Sequence, residues 1–91
     1  MAQVVVSMKI MPDSPAADLK KIESKATHEI AEFGGSVGKV DVEPVAFGLK
    51  SLVLIFVMDE SLGSTETLEE SVSKIPQVQS VEITDVRRAI G

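Results

Sequence analysis

The sequence predicts an α+β domain of the split βαβ kind, with its elements in the order β-α-β-β-α-β. Three observations carry that expectation. Val-rich stretches that alternate apolar and polar residues with period two occur near the start, before the middle and near the end of the chain. Between them lie two stretches whose apolar residues recur every three or four positions, as on one face of a helix. Pro and Gly stand at the joints, where a strand or helix has to stop.

Val4, Val6, Met8 and Ile10 alternate with Val5, Ser7, Lys9 and Met11, which predicts a first strand that Pro12 stops. Asp13-Ser14-Pro15 reads as a helix start, with Ser14 as N-cap and Pro15 at the first helical position, where its missing N–H costs nothing. Leu19, Ile22, Ala26, Ile30 and Phe33 form the apolar stripe of this helix, and Gly34-Gly35 ends it. Lys25 and Glu29 stand one helical step apart on its outside. A short second strand is expected over Lys39 to Val45, with Val40 and Val42 on one side and Asp41 and Glu43 on the other.

Pro44 to Lys50 interrupts the alternation before Ser51 to Met58, which is β-branched and apolar on both faces and so predicts a central third strand. Asp59 to Ser64 is a polar loop. Leu68, Val72 and Ile75 place a stripe on a second helix of about three turns that Pro76 must end. Val81 and Ile83 alternate with Glu82 and Thr84 in a fourth strand, leaving Val86 to Gly91 as a basic tail. The expected product is a ferredoxin-like, four-stranded antiparallel sheet with two helices on one face. The other face then lacks helices and receives either Val53, Ile55 and Val57 or Leu52, Leu54 and Phe56, to be sheltered by neighbouring side chains or by a protein partner.

A chain of 91 residues is expected to make one domain over its full length, burying about 64% of its unfolded surface. Apolar residues are 44% and charged residues 25%, a globular balance rather than a disordered one. Nine Lys and Arg against fourteen Asp and Glu leave a net charge of −5, which disfavours nucleic acid and anionic lipid as partners. The absence of Cys excludes disulfides, thiolate nucleophiles and Cys-ligated metals. The first residues lack the basic start and cleavage site of a signal peptide, and the longest apolar run, Leu52 to Met58, is far short of the roughly 20 residues a membrane helix needs. A cytoplasmic chain is expected.

Catalytic chemistry is poorly supplied. His28 is the only histidine and stands off the apolar stripe, as a solvated helix residue does. Gly34-Gly35-Ser36-Val37-Gly38 follows a helix, whereas a phosphate-cradling loop follows a strand and opens a helix, so it reads as a C-cap and turn. Asp59, Glu60, Glu66, Glu69 and Glu70 lack the frame that wraps calcium and read as solvated acids. No catalytic, metal or cofactor residue is expected. A metallochaperone of this shape needs Cys and an acylphosphatase needs Asn, and the chain has neither. An RNA-recognition domain stacks bases on central-strand aromatics, but only Phe56 is so placed. A small-molecule regulatory domain of the ACT kind stays open.

Two features survive this elimination. Phe47 lies in a loop between Ala46 and Gly48, where it either folds back as a core anchor or inserts into something else. Arg87 and Arg88 put a cationic tip on an acidic chain, either as an ordinary basic tail or as a contact.

Pro44-Val45-Ala46-Phe47-Gly48-Leu49-Lys50-Ser51-Leu52, the following Val57-Met58-Asp59-Glu60, and Val78-Gln79-Ser80-Val81-Glu82-Ile83 resemble the guanine-nucleotide exchange domain of elongation factor 1-beta. The length and the lack of an N-terminal extension look like the archaeal form. The resemblance implies the same fold, and a domain that binds elongation factor 1-alpha and speeds release of its GDP. It also implies that Phe47, flanked by Gly48 and Lys50, matches a loop Phe that wedges into the partner's G domain. A Lys near the family's C-terminus, which reaches the magnesium site, falls on Arg88 when counted from Val-Gln-Ser, with Arg87 as an alternative effector. Ala89 then stands where eukaryotic chains end, and Ile90 and Gly91 are extra. The implied partner set is the GTPase alone, without nucleic acid or membrane, and the free factor is expected to be a monomer. The competing reading is an ACT-like ligand-binding or oligomeric interaction domain that uses the helix-free sheet face.

Overall fold

Alternation of Val and Met with polar residues makes β1 (Gln3–Pro12) a strand with one face fully buried, at Val6, Met8 and Ile10. In a computed structural model, which describes residues 2–88, β1 is followed by α1 (Leu19–Phe33), β2 (Ser36–Pro44), β3 (Lys50–Asp59), α2 (Glu66–Ser73) and β4 (Val78–Arg88). Single 3₁₀ turns stand at Ala46–Gly48 and Glu60–Leu62. The four strands pair antiparallel in the order β2-β3-β1-β4, so the expected β-α-β-β-α-β architecture and the central place of β3 both hold. Both helices pack on one face of the sheet. Ile22, Ala26 and Ile30 of α1, together with Leu68 and Val72 of α2, meet Leu52, Leu54, Phe56 and Met58 of β3 in the buried cluster.

The two candidate sets of β3 residues are thereby separated. Leu52, Leu54 and Phe56 lie under the helices at 1%, 0% and 0% exposure, and Val53, Ile55 and Val57 take the open face. Strand register sets Val57 beside Val5, Ile55 beside Ser7 and Val53 beside Lys9, with Arg87, Asp85 and Glu82 in the same rows one strand further on. The three β3 residues remain half-buried although no helix covers them, sheltered by these cross-strand neighbours and by Ser36, Lys39 and Asp41 of β2.

Several boundaries differ from expectation. The N-cap of α1 is Asp18, not Ser14: its carboxylate accepts the Lys21 N–H at 3.2 Å, and Ser14 to Ala17 form a turn instead, closed by Ala17 N–H to the Ser14 carbonyl. Asp18 wins because its own N–H also finds an acceptor, Gln77 Oε1 at 2.7 Å, from the other end of the chain. Gly34 does end α1 in the left-handed conformation, at φ 111°, but Ser36 to Gly38 already belong to β2, which a register shift between Val37 and Lys39 disguises in the sequence. α2 has eight residues, about two turns rather than three, because Pro76 disfavours helix in the residue before it; Ile75 completes the stripe from outside the helix. The basic tail is strand as far as Arg88: Val86, Arg87 and Arg88 pair with Val6, Val5 and Val4. A bulge at Thr84, whose hydroxyl donates to the Ser7 carbonyl at 3.3 Å, breaks the alternation that would have shown it. Ala89, Ile90 and Gly91 lie outside the described residues.

Candidate functional site

The β2–β3 connection is a tight one. Val45 N–H donates to the Leu49 carbonyl at 2.7 Å and Leu49 N–H to the Ala46 carbonyl at 3.3 Å, so only Ala46, Phe47 and Gly48 turn the chain. Phe47 takes φ 63°, ψ 31°, and Gly48 follows at φ 77°. Two successive left-handed residues are natural for glycine and costly for an aromatic, by roughly 1–2 kcal/mol. The side chain gains nothing in return within the chain: Phe47 is 94% exposed, which excludes the core-anchor reading. Beside the turn lies a cleft of about 300 Å³ lined by Ser14, Pro15, Ala17, Leu19, Gly48 and Lys50.

Arg87 and Arg88 stand at the other end of the sheet and, being consecutive on a strand, on opposite faces. Arg88 belongs to the helix side, next to Val4, and grips Glu60 with a bidentate fork: Nε donates to Oε2 at 2.9 Å and an η-nitrogen to Oε1 at 2.8 Å. Glu60 is held for this by the 3₁₀ turn that it opens, which Asp59 caps by accepting the Ser61 N–H at 2.8 Å, and by its own N–H bonding the Ala2 carbonyl at 3.0 Å. Hydrogen bonds from Arg88, and then its charge, hold the Glu60 carboxyl below the usual glutamate range, and Glu60 raises Arg88 in turn. The backbone N–H of Ser61 likewise lowers Asp59. Arg87 pairs with Asp85 on the open face at 2.7 Å.

The structure thus gathers Phe47, Gly48 and Lys50 at one end and Arg87 and Arg88 at the other, and it does not bring the two groups together. From Lys50 to Met58, which is level with Arg88 in the sheet, is eight residues, or about 26 Å of strand, along a molecule 42 Å in its longest dimension. His28 is exposed on α1, 3.7 Å from Glu32. Among the described residues no three His, Cys, Asp or Glu side chains gather as metal ligands, and no helix is long and apolar enough to cross a membrane.

Two residues escaped the sequence reading. Glu60 appeared only as a solvated acid, since nothing local shows that the chain end returns to it. Gln77 carries no motif, yet it sits at φ 74° with its carbonyl accepting the Asp13 N–H at 2.8 Å and its side chain accepting from Asp18. Its one local signal is the Pro76-Gln77 step after a helix, which marks a turn without specifying partners.

Residues 5–89 match the family model of the EF-1 guanine nucleotide exchange domain. Elongation factor 1-beta of Methanobrevibacter smithii is 45% identical over 91 residues, with 97% of this chain and 98% of that protein covered. The proteins of the same name from Methanothermobacter thermautotrophicus and Staphylothermus marinus are 43% and 39% identical, each with 97% of this chain and 98% of the relative covered. In fold alone, the chain is similar to the C-terminal domain of the MgtC protein from Mycobacterium tuberculosis (TM-score 0.67, 12% identity, 97% of this chain and 88% of that one). It is also similar to the ACT domain of GTP pyrophosphokinase from Chlorobium tepidum (TM-score 0.60, 15% identity, 89% and 97% covered). The match along nearly the whole sequence, including the exposed Phe47 turn and the strand that carries Arg88, makes this chain a member of the EF-1 guanine nucleotide exchange domain family.

Proposed function

We propose that this chain, a guanine-nucleotide exchange domain by family, acts on the GTPase elongation factor 1-alpha through its two ends, with Phe47 as an apolar wedge and Arg88 as a cation directed at the metal site. The observation that carries the reading is Phe47 itself, a ring 94% exposed and held in a left-handed turn that the chain's own packing does not reward. Gly48 allows the second left-handed step of that turn, and Lys50 adds a positive charge beside it.

Bound GDP is retained by phosphate contacts and Mg²⁺, and a cation brought toward that ion opposes it electrostatically. An apolar wedge shifts the elements that hold the ion if the shifted conformation binds the wedge better. Release then follows by linkage: a factor that binds the nucleotide-free GTPase more tightly must lower its affinity for nucleotide by the same ratio. None of this requires a general acid or base. Arg88 has to exchange Glu60 for the partner, and both groups are exposed, so the swap is between a screened surface pair and a contact at the interface. Arg is bulkier and planar where the family carries Lys, which leaves Arg87 as the alternative effector.

The test is release of a fluorescent GDP analogue from elongation factor 1-alpha under substoichiometric chain. Wild type accelerates release, Phe47→Ala loses most of the acceleration but keeps a measurable remainder while its melting temperature stays within about 4 °C of wild type, and Arg88→Ala retains a larger part of the effect with altered magnesium dependence. No acceleration by folded wild-type protein at any magnesium concentration overturns the proposal. The ACT-like alternative has only the likeness in fold behind it.

A further inference from the structure

We infer that Gln77 is a positioning residue for exchange: it fixes the 13–18 loop as the platform beside Phe47 on which the GTPase seats, an inference that rests on the exchange reading above. The helix start shows why such a residue is needed. Asp18 supplies half of a capping box by accepting the Lys21 N–H, but the residue that should answer by accepting the Asp18 N–H is Lys21, which has no acceptor. Gln77 Oε1 supplies it from 59 residues away, at 2.7 Å. The Gln77 carbonyl takes the Asp13 N–H at 2.8 Å, so one residue ties down both the first and the last position of the loop.

The clamp is held at a cost. Gln77 sits at φ 74°, a conformation that suits glycine or asparagine, and such strain persists where the surroundings over-determine it. What is clamped is not core: Asp13, Pro15, Ala16 and Asp18 are exposed, and Ser14 and Ala17 half-buried. What the clamp does fix is the flank of the Phe47 turn. A methyl group on Gly48 would lie 4.0 Å from the Pro15 side chain, and Ser14, Pro15 and Ala17 form one wall of the cleft whose other wall is Gly48 and Lys50. A partner that accepts Phe47 must therefore meet this loop, and a loop already ordered loses less freedom on docking.

The experiment is the GDP-analogue release assay on elongation factor 1-alpha over a range of chain concentrations, with thermal unfolding alongside. Gln77→Gly keeps the left-handed backbone and the carbonyl bond and removes only the side-chain acceptor. The expected result is a rise of about fivefold in the half-saturating concentration, with saturating rate unchanged and melting temperature nearly so, because relief of strain offsets the lost bond. Gln77→Glu, which restores an acceptor oxygen, returns the half-saturating concentration to within about twofold of wild type. An unchanged value for Gln77→Gly overturns the inference, as does failure of Gln77→Glu to rescue. A fall in saturating rate and melting temperature together overturns it too, since that marks a merely structural role. Wild-type protein that fails to accelerate release is a different outcome, which defeats the exchange reading and this inference with it.

Discussion

Glu60 and Arg88 stand 28 residues apart in sequence and join through two hydrogen bonds at the end of the sheet, where both remain in contact with solvent. The pair has a definite pH signature. Because the Glu60 carboxyl in the folded chain lies below its unfolded value, the stabilisation it brings is complete above the ordinary glutamate range and is lost as pH falls through the lowered folded value. At neutral pH the fork is therefore closed, and acidification frees Arg88. Side-chain carboxyl shifts followed by NMR should place the Glu60 midpoint below the ordinary glutamate range, and Arg88→Ala should move it upward. A wild-type midpoint at the ordinary value contradicts the pairing. Phe47 presents the opposite case, a residue with no partner to titrate or remove, whose strain and exposure are the signal.

The start of α1 separates two kinds of local information. Ser14-Pro15 is a good helix opening on propensity alone, and Asp18 is another, four residues on. The choice between them falls to Asp18 because Gln77 satisfies its N–H, a contribution absent from any window of sequence around the helix. Asp18→Ala should cost about 1 kcal/mol, lowering the melting temperature by roughly 4–8 °C in a domain of this size, whereas Ser14→Ala should change it little. The reverse order in thermal unfolding would move the helix boundary back to Ser14. The fourth strand gives the same lesson at its far end, where the bulge at Thr84 hides three further strand residues, Val86 to Arg88, that β1 needs to complete its ladder.

For the molecule as a whole, the sheet acts as a spacer. Phe47 and Arg88 cap opposite ends of strands that share one buried layer, so on the proposed exchange reading the partner surface has to extend over much of the 42 Å length. Two contacts so far apart, with no shared neighbour, should contribute independently. The combined loss of GDP-release efficiency in the Phe47→Ala, Arg88→Ala double variant should equal the product of the single losses to within about twofold. A combined loss well below that product would show the two ends acting as one unit. The open sheet face, with Val53, Ile55 and Val57 already half-buried among charged neighbours, offers no comparable exposed anchor.

Element order, the apolar stripes of both helices and the turn that carries Phe47 are legible in the chain's own residues, since periodicity and Pro or Gly punctuation act through the backbone of adjacent residues. The motif around Phe47 also marks the family. Not legible there are which set of β3 residues faces the helices, that the Phe47 ring stays in solvent, that Arg88 is strand rather than tail and is gripped by Glu60, and that Gln77 caps α1. Strand register and the Glu60 and Gln77 hydrogen bonds join residues far apart along the chain and exist only once the sheet has closed, whereas the Phe47 ring stays in solvent because its three-residue turn sets it against no packed layer.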